Sequence, residues 1–217
     1  KAIRRQRQMC IRDRNTDNGY SVWASNVIYN ETMKKYVMYF CTTSSYVKST
    51  LCFATADNIE GPYTYVDTIL YSGYGKSNIS ETNLYDVLGK NADISRYLEY
   101  GGYNNKEWPN CIDPAIFTDA DGRMWMNYGS WSGGIFLLEI DPATGYPIYP
   151  VDDKDADPYY GYRLIGGGHH SAEGPYIQYD AENGYYYLFV SYGDLQSDGG
   201  YPVSYTHLRA HETTLHL

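Results

Sequence analysis

The sequence predicts an all-β chain made of repeated antiparallel sheets, the architecture of a β-propeller. Three stretches carry this prediction, because each has a hydrophobic run, a polar turn and then an aromatic run: 27–40, 115–128 and 176–190. The composition agrees, since 21 Gly and 27 Tyr among 217 residues favour many turns and many aromatic strand positions. A sandwich or jelly roll would contain similar strands but would not repeat one hairpin motif.

Each repeat begins with a predicted β-hairpin. Asp121-Gly122 and Asn183-Gly184 are expected to supply the positive φ angles of tight hairpin turns. Third strands are predicted at 50–55 and 134–140, and fourth strands at 63–71 and 162–165. Roughly three such blades fit between residues 15 and 203, fewer than a closed propeller normally has, so the chain reads as a fragment.

The two ends differ from the middle of the chain. Residues 1–14 carry six of the 17 basic residues and one acid, and residues 204–217 hold three of the five His. Both strings resemble translated sequencing-adapter sequence. We therefore expect a non-native arm at 1–14, a partial propeller domain at 15–203 and a non-native tail at 204–217.

Composition excludes some functions. With 26 acidic against 17 basic residues the formal net charge is −9, which argues against a nucleic-acid partner. No apolar run approaches the roughly 18 residues of a membrane span. Cys41, Cys52 and Cys111 lack C-x-x-C spacing, so free, half-buried thiols are expected rather than a zinc or redox site.

Two polar segments interrupt the repeats. Residues 72–110 have no strand periodicity and are predicted to form an insertion on the loop face, with short helices at 80–88 and 93–100. The acidic run 152–157 is expected to be a solvated loop, with calcium binding as the weaker alternative. Asp119 and Asp121 resemble the start of a calcium loop, but the later ligands are missing, which indicates a turn.

Two carboxylates stand just before predicted inner strands, Asp113 in the second repeat and Glu173 in the third. Equivalent positions on neighbouring blades would bring both to the rim of the central channel, and paired carboxylates are what cleavage of a glycosidic bond requires. The alternative is turn chemistry, because Asp-Pro and Glu-Gly-Pro are common turn formers. A second Glu-Gly-Pro-Tyr at Glu60 precedes a predicted outer strand, so Glu60 should face solvent.

A set of motifs in order along residues 20–202 resembles glycoside hydrolase family 43, most closely its endo-arabinanases. These motifs are Trp23-Ala24, Asn110-x-x-Asp113-Pro114, Asp121-Gly122-x-x-Trp125-Met126-x-Tyr128-Gly129-Ser130, Gly133-Gly134-Ile135 and Glu173-Gly174-Pro175-Tyr176. The resemblance implies a five-bladed propeller that cleaves α-1,5-linked arabinan with inversion. It also implies an extracellular or periplasmic protein that is a monomer when complete.

The resemblance assigns roles to the two carboxylates. It makes Glu173 the general acid and Asp113 the residue that orients this acid and raises its pKa. The family's general base is an Asp on the first blade, and nothing here matches it, so this chain alone is expected to be nearly inactive. Many members have Trp-Ala-Pro-Asp where this chain has Trp23-Ala-Ser-Asn26, and the loss of this acid is expected to alter subsite contacts.

Other residues are candidates for substrate binding. Trp131 is a candidate sugar-stacking platform, Ser130 and Asn110 are candidates for hydrogen bonds to furanose hydroxyls, and Trp23 lines either the channel or the core. No cofactor is needed for the chemistry. The resemblance implies a calcium-type ion in the channel, with ligands largely outside this chain. His169-His170 is a weak metal candidate, because neighbouring side chains in a strand point opposite ways.

Three other functions stay open. An exo-acting arabinofuranosidase or a β-xylosidase would share the fold and differ in groove shape. A catalytically silent propeller would bind sugar without cleaving it. A protein-interaction propeller is disfavoured, because the acidic and aromatic residues gather at blade entrances.

Overall fold

The computed structural model describes residues 21–193 and 200–209, and the predicted arm at 1–14 lies outside them. Within these residues, three antiparallel sheets of three or four strands follow one another along the chain, and a two-stranded sheet lies between the first and the second. The first, blade A, holds β1 (Ser21–Asn30), β2 (Lys35–Ser45), β3 (Lys48–Ala56) and β4 (Thr64–Tyr71). Blades B and C follow after the insertion. In blade A the strands pair in chain order, which is the meander of a propeller blade.

The insertion between blades A and B has little regular structure. It contains 3₁₀ turns at Ile79–Glu81 and Ser95–Tyr97, one short helix α1 (Leu84–Leu88), and a small hairpin of β5 (Leu98–Glu99) and β6 (Gly102–Tyr103). The predicted helix at 80–88 therefore shrinks to α1, and the one at 93–100 is wrong apart from one 3₁₀ turn. None of the helices in the described residues is long and apolar enough to cross a membrane.

Blades B and C complete the described structure. Blade B holds β7 (Ala115–Thr118), β8 (Met124–Tyr128), β9 (Ile135–Ile140) and β10 (Tyr162–Ile165), and blade C holds β11 (Ala172–Asp180), β12 (Tyr185–Tyr192) and β13 (Val203–Arg209). The predicted hairpins, third strands and fourth strands are confirmed. β13 runs across the boundary predicted at residue 203, pairing with β12 from Ser191 to Tyr185. The non-native origin of 204–217 stays a prediction.

The hairpin turns are longer than the predicted two-residue turns. Asp119 begins the turn of blade B, and its Oδ1 accepts the N–H groups of Asp121 and Arg123. Only Gly122 is left-handed there, with φ of 83°. Because the carboxylate is used in this way and pairs with Arg123, Asp119 forms a turn, as predicted, rather than part of a calcium loop.

Asx residues close the other two hairpins in the same manner. Asn30 Oδ1 accepts the N–H groups of Thr32 and Met33, and Asp180 Oδ1 accepts those of Glu182 and Asn183. In each turn, the side-chain oxygen takes the place of a backbone carbonyl oxygen as the acceptor for these N–H groups.

The core is rich in tyrosine, and its hydroxyl groups have partners. The Tyr39 hydroxyl donates to the Gly145 carbonyl at 2.8 Å, and the Tyr128 hydroxyl donates to the Tyr160 carbonyl at 2.8 Å. Burying a large ring is favourable only if its hydroxyl stays hydrogen-bonded. One cluster of buried side chains joins blades A and B with the insertion, and a second joins blades B and C. Cys41, Cys52 and Cys111 form no disulfide among the described residues, as predicted, but they are fully rather than half buried.

Asp157 anchors the insertion to blade B. Its carboxylate is buried, accepts the Tyr97 hydroxyl and the N–H groups of Tyr159 and Tyr160, and pairs with Arg96 at 3.3 Å. Burial raises the pKa of Asp157, although these partners oppose the rise. The prediction that 152–157 is a solvated loop therefore holds for Asp152 to Asp155 and is wrong for Asp157.

We expect Asp157→Ala to destabilise the full-length protein by about 3 kcal/mol, because it leaves buried donors and a guanidinium without their acceptor. The measurement is urea unfolding, with Asp155→Ala as the control. Asp155 is exposed and its ion pair with Lys154 spans 3.8 Å, so the control should change stability by less than about 0.5 kcal/mol. Equal effects of the two substitutions would contradict this role.

Candidate active site

The inner strands of the three blades share one backbone irregularity. Ala24, Asp113 and Gly174 all have positive φ, at 48°, 55° and 59°. In β1 and β11 the pairing register shifts across these residues, between Trp23 and Asn26 and between Glu173 and Tyr176. A bulge of this kind bends the strand and re-aims its side chains. Asp is among the few non-glycine residues that adopt this conformation readily.

This irregularity corrects the expected alignment of the two carboxylates. Because the left-handed residues are equivalent, Asp113 corresponds to Gly174, and Glu173 corresponds to Trp23 of blade A. The prediction that Asp113 and Glu173 occupy equivalent positions is therefore wrong by one residue. Because of this offset, the Asp113 carboxylate accepts a hydrogen bond from the backbone N–H of Gly174, the residue that follows Glu173.

Asp113 is hydrogen-bonded across the boundary between blades B and C. Its Oδ2 accepts the Gly174 N–H at 3.2 Å. Burial raises the pKa of Asp113 to about 6; the Gly174 N–H opposes this rise and the negative charge of Glu173 adds to it. The fold therefore brings Asp113 and Glu173 into electrostatic contact although 60 positions separate them in the sequence, as the repeat predicted.

Glu173 has a hydroxyl donor on each carboxylate oxygen. Ser130, from the loop between β8 and β9, donates to Oε2 at 2.9 Å. Tyr201, from the loop between β12 and β13, donates to Oε1. Ser130 is buried, and its hydroxyl contacts Glu173; its predicted role in binding substrate stays a prediction.

Sequence reasoning missed Tyr201. No sequence motif marks this residue. Only its position could have suggested a role, because it lies in the loop of blade C that corresponds to the loop of blade B carrying Ser130. Contacts between two loops of different blades cannot be inferred from a hairpin pattern.

The three other predicted binding residues differ in their surroundings. Trp131 is half-buried with φ of 43°, and its N–H donates to the Ala172 carbonyl at 2.8 Å, next to Glu173. Trp23 is exposed, and its indole N–H donates to Thr43 Oγ1 at 3.2 Å. Asn110 is buried, and its side-chain oxygen has no hydrogen-bond partner among the residues that the structure describes.

Asn26 stands where many members of the resembled family have Asp. Its Oδ1 accepts the Ile116 N–H at 3.1 Å, which joins the inner strands of blades A and B. A carboxylate oxygen would accept the same hydrogen bond, so the substitution preserves this contact.

The His169-His170 pair is not in a strand. His169 has φ of 64° between β10 and β11, and its Nδ1 lies 3.3 Å from the Tyr46 hydroxyl. The alternation of side chains along a strand therefore does not determine where these two histidines point. Across residues 21–193 and 200–209, no group of three or more His, Cys, Asp and Glu side chains is arranged to hold a metal ion. The calcium site stays a prediction.

The raised pKa of Asp113 makes a stability prediction. A carboxyl with a pKa of about 6 in the folded state and about 3.8 unfolded stabilises the fold fully below pH 4, and this contribution is lost as the pH rises through 6. Asp113→Asn keeps an oxygen acceptor for Gly174 and removes the ionisation. We therefore expect the variant to gain stability over the parent protein, on the order of 1 kcal/mol, between pH 4 and pH 7.

Thermal unfolding of the full-length protein and of Asp113→Asn at pH 4, 5, 6 and 7 measures this difference. A difference in melting temperature that stays constant across this range would show that Asp113 titrates alike in the folded and unfolded states.

Comparison with known proteins places this site in a family. The chain is 39% identical over 182 residues to an extracellular endo-α-(1→5)-L-arabinanase of Thermotoga petrophila, and 38% identical over 183 residues to extracellular endo-α-(1→5)-L-arabinanase 2 of Bacillus subtilis. Each alignment covers 84% of this chain and 34% of the relative. The chain thus spans about a third of the length of these curated relatives.

The solved structures give the same result. The crystal structure of the endo-1,5-α-L-arabinanase from Thermotoga petrophila superposes with a TM-score of 0.65 at 39% identity, over 86% of this chain and 36% of that one. The fold is a five-bladed β-propeller, of which this chain contains about three blades, as predicted. The model for glycosyl hydrolases family 43 matches residues 70–215, which include both Asp113 and Glu173. The chain belongs to glycosyl hydrolase family 43.

Proposed function

We propose that the complete protein is an extracellular endo-acting arabinanase that hydrolyses α-1,5-linked arabinan with inversion, and that Glu173 is its general acid. The observation that carries this proposal is the constellation around Glu173. Its carboxylate lies beside that of Asp113 and is held by hydroxyl groups from two different blades.

The chemistry requires a carboxylic acid held in one orientation. As the bond between the anomeric carbon and the leaving oxygen breaks, the proton of Glu173 passes to that oxygen, and the oxygen of a water molecule bonds to the carbon. The water proton passes to a carboxylate base on the opposite side, roughly 6.5–9.5 Å from the acid. By the family resemblance this base is an Asp of the first blade, and no described residue matches it.

Asp113 acts on Glu173 in two ways in this proposal. Its hydrogen bond to the Gly174 N–H fixes the backbone that carries the acid. Its carboxylate is also in electrostatic contact with that of Glu173, and through this contact the family resemblance has Asp113 assist the acid.

Substrate and location are proposed from the relatives. The two curated relatives are named extracellular endo-arabinanases, and they align with most of this chain. We propose arabinan and its oligosaccharides as substrates, and secretion as the location. Neither nucleic acid nor a second subunit is expected as a partner.

Glu173→Gln in the full-length protein is expected to lower kcat on linear arabinan by at least about 10²-fold, because an amide cannot give up a proton. The loss should shrink to less than about tenfold on an aryl arabino-oligosaccharide with an acidic phenol, since that leaving group needs little protonation. Release of reducing ends and of phenol measures the two rates.

Glu60→Gln is the matched control, because Glu60 belongs to the other Glu-Gly-Pro-Tyr segment of the chain. As predicted, Glu60 is exposed and precedes β4, the outermost strand of blade A. Glu60→Gln should leave the rates on arabinan and on the aryl substrate within about twofold of those of the parent protein. Full activity of Glu173→Gln on arabinan would eliminate Glu173 as the acid.

The products distinguish the alternatives. An endo-arabinanase is expected to release a mixture of short oligosaccharides early from linear arabinan, and proton NMR should show the inverted anomer first. Arabinose as the sole early product would assign an exo-acting enzyme instead. Binding without turnover would assign the silent sugar-binding propeller.

A further inference from the structure

The family resemblance assigns no role to Tyr201, although this residue contacts the proposed general acid. Its hydroxyl donates to Glu173 Oε1, on the opposite side of the carboxylate from Ser130. Neither donor comes from the inner strand that carries Glu173. The orientation of the carboxylate is therefore set by two loops, one from blade B and one from blade C.

The described residues on either side of Tyr201 are anchored to blade C. The Tyr192 N–H donates to the Pro202 carbonyl at 2.9 Å, which fixes the residue that follows Tyr201 against the end of β12. On the other side, Gly193 and Gly200 approach so closely that a β-carbon on Gly193 would overlap the Gly200 carbonyl. A tyrosine side chain has only two rotatable bonds before the ring, so a fixed backbone leaves its hydroxyl little freedom.

The Tyr201 hydroxyl keeps its proton. Burial raises the pKa of Tyr201 to about 12, and the hydrogen bond to Glu173 adds to this rise. Tyr201 is thus a donor at neutral pH, and Glu173 Oε1 is an acceptor whether or not the other oxygen carries a proton.

We propose that Tyr201 is a positioning residue for the general acid: it holds Glu173 Oε1 and leaves the oxygen beside Ser130 to deliver the proton to the leaving group. This inference rests on the proposed function. As the proton moves from Glu173 to the leaving oxygen, negative charge develops on the carboxylate, and the Tyr201 hydroxyl already points at it. A donor in place before the charge appears stabilises the transition state more than the bound substrate.

Tyr201→Phe in the full-length protein tests this role. We expect kcat on linear arabino-oligosaccharides to fall roughly 10- to 100-fold with KM within about threefold, because one preorganised donor is lost. On an aryl arabino-oligosaccharide with an acidic phenol, the fall should be less than about threefold. Tyr100→Phe is the matched control, since Tyr100 is fully exposed at the tip of the β5–β6 hairpin and loses the same hydroxyl.

A double substitution guards against a loss caused only by misfolding. When Glu173→Gln is already present, Tyr201→Phe should change turnover of linear arabino-oligosaccharides by less than about twofold, because the acid that it positions is gone. The melting temperature of each variant is measured beside the rates.

The outcomes separate the two proposals. A parent protein that hydrolyses neither substrate overturns the proposed function. A parent that hydrolyses both, with Tyr201→Phe slowing both equally or neither, overturns the positioning role alone. The positioning role is also overturned if Tyr201→Phe slows the Glu173→Gln variant by the same factor as the parent protein.

Discussion

The hydrogen bond from the Gly174 N–H to the Asp113 carboxylate joins two neighbouring blades where both inner strands bend. Both residues adopt positive φ, and the bend turns the backbone N–H of one blade toward the side chain of the other. A glycine at one position and an aspartate at the other suit this geometry, because glycine has no steric cost there and aspartate has little. The placement of Glu173 depends on this junction, since it directly precedes Gly174.

The same junction explains why the carboxylates behave as a pair. Asp113 is partly buried and close to a second negative charge, so it holds its proton to a higher pH than an exposed aspartate. Glu173 is surrounded by hydroxyl donors instead. Two carboxyl groups in one site thus have different surroundings, one partly buried beside a negative charge and the other held by two hydroxyl donors.

The hairpin repeat was predictable because it is a local property. Asp119 and Asp180 precede glycine-containing turns, and the strands on either side follow from hydrophobic pattern alone. The approach of Asp113 and Glu173 followed from counting blades. The one-residue offset between them did not, because a bulge leaves the order of hydrophobic residues unchanged while it shifts the register.

Contacts between loops could not be predicted from the sequence, for a different reason. Ser130 and Tyr201 both belong to loops that join the second and third strands of a blade, and they meet only because Glu173 lies between them. Asn26 likewise joins blade A to blade B through a side-chain oxygen. In each case the partner belongs to another blade or another loop, so the interaction exists only when the blades are assembled. A site built from such contacts needs its neighbouring blades to be in place before any of its residues can act.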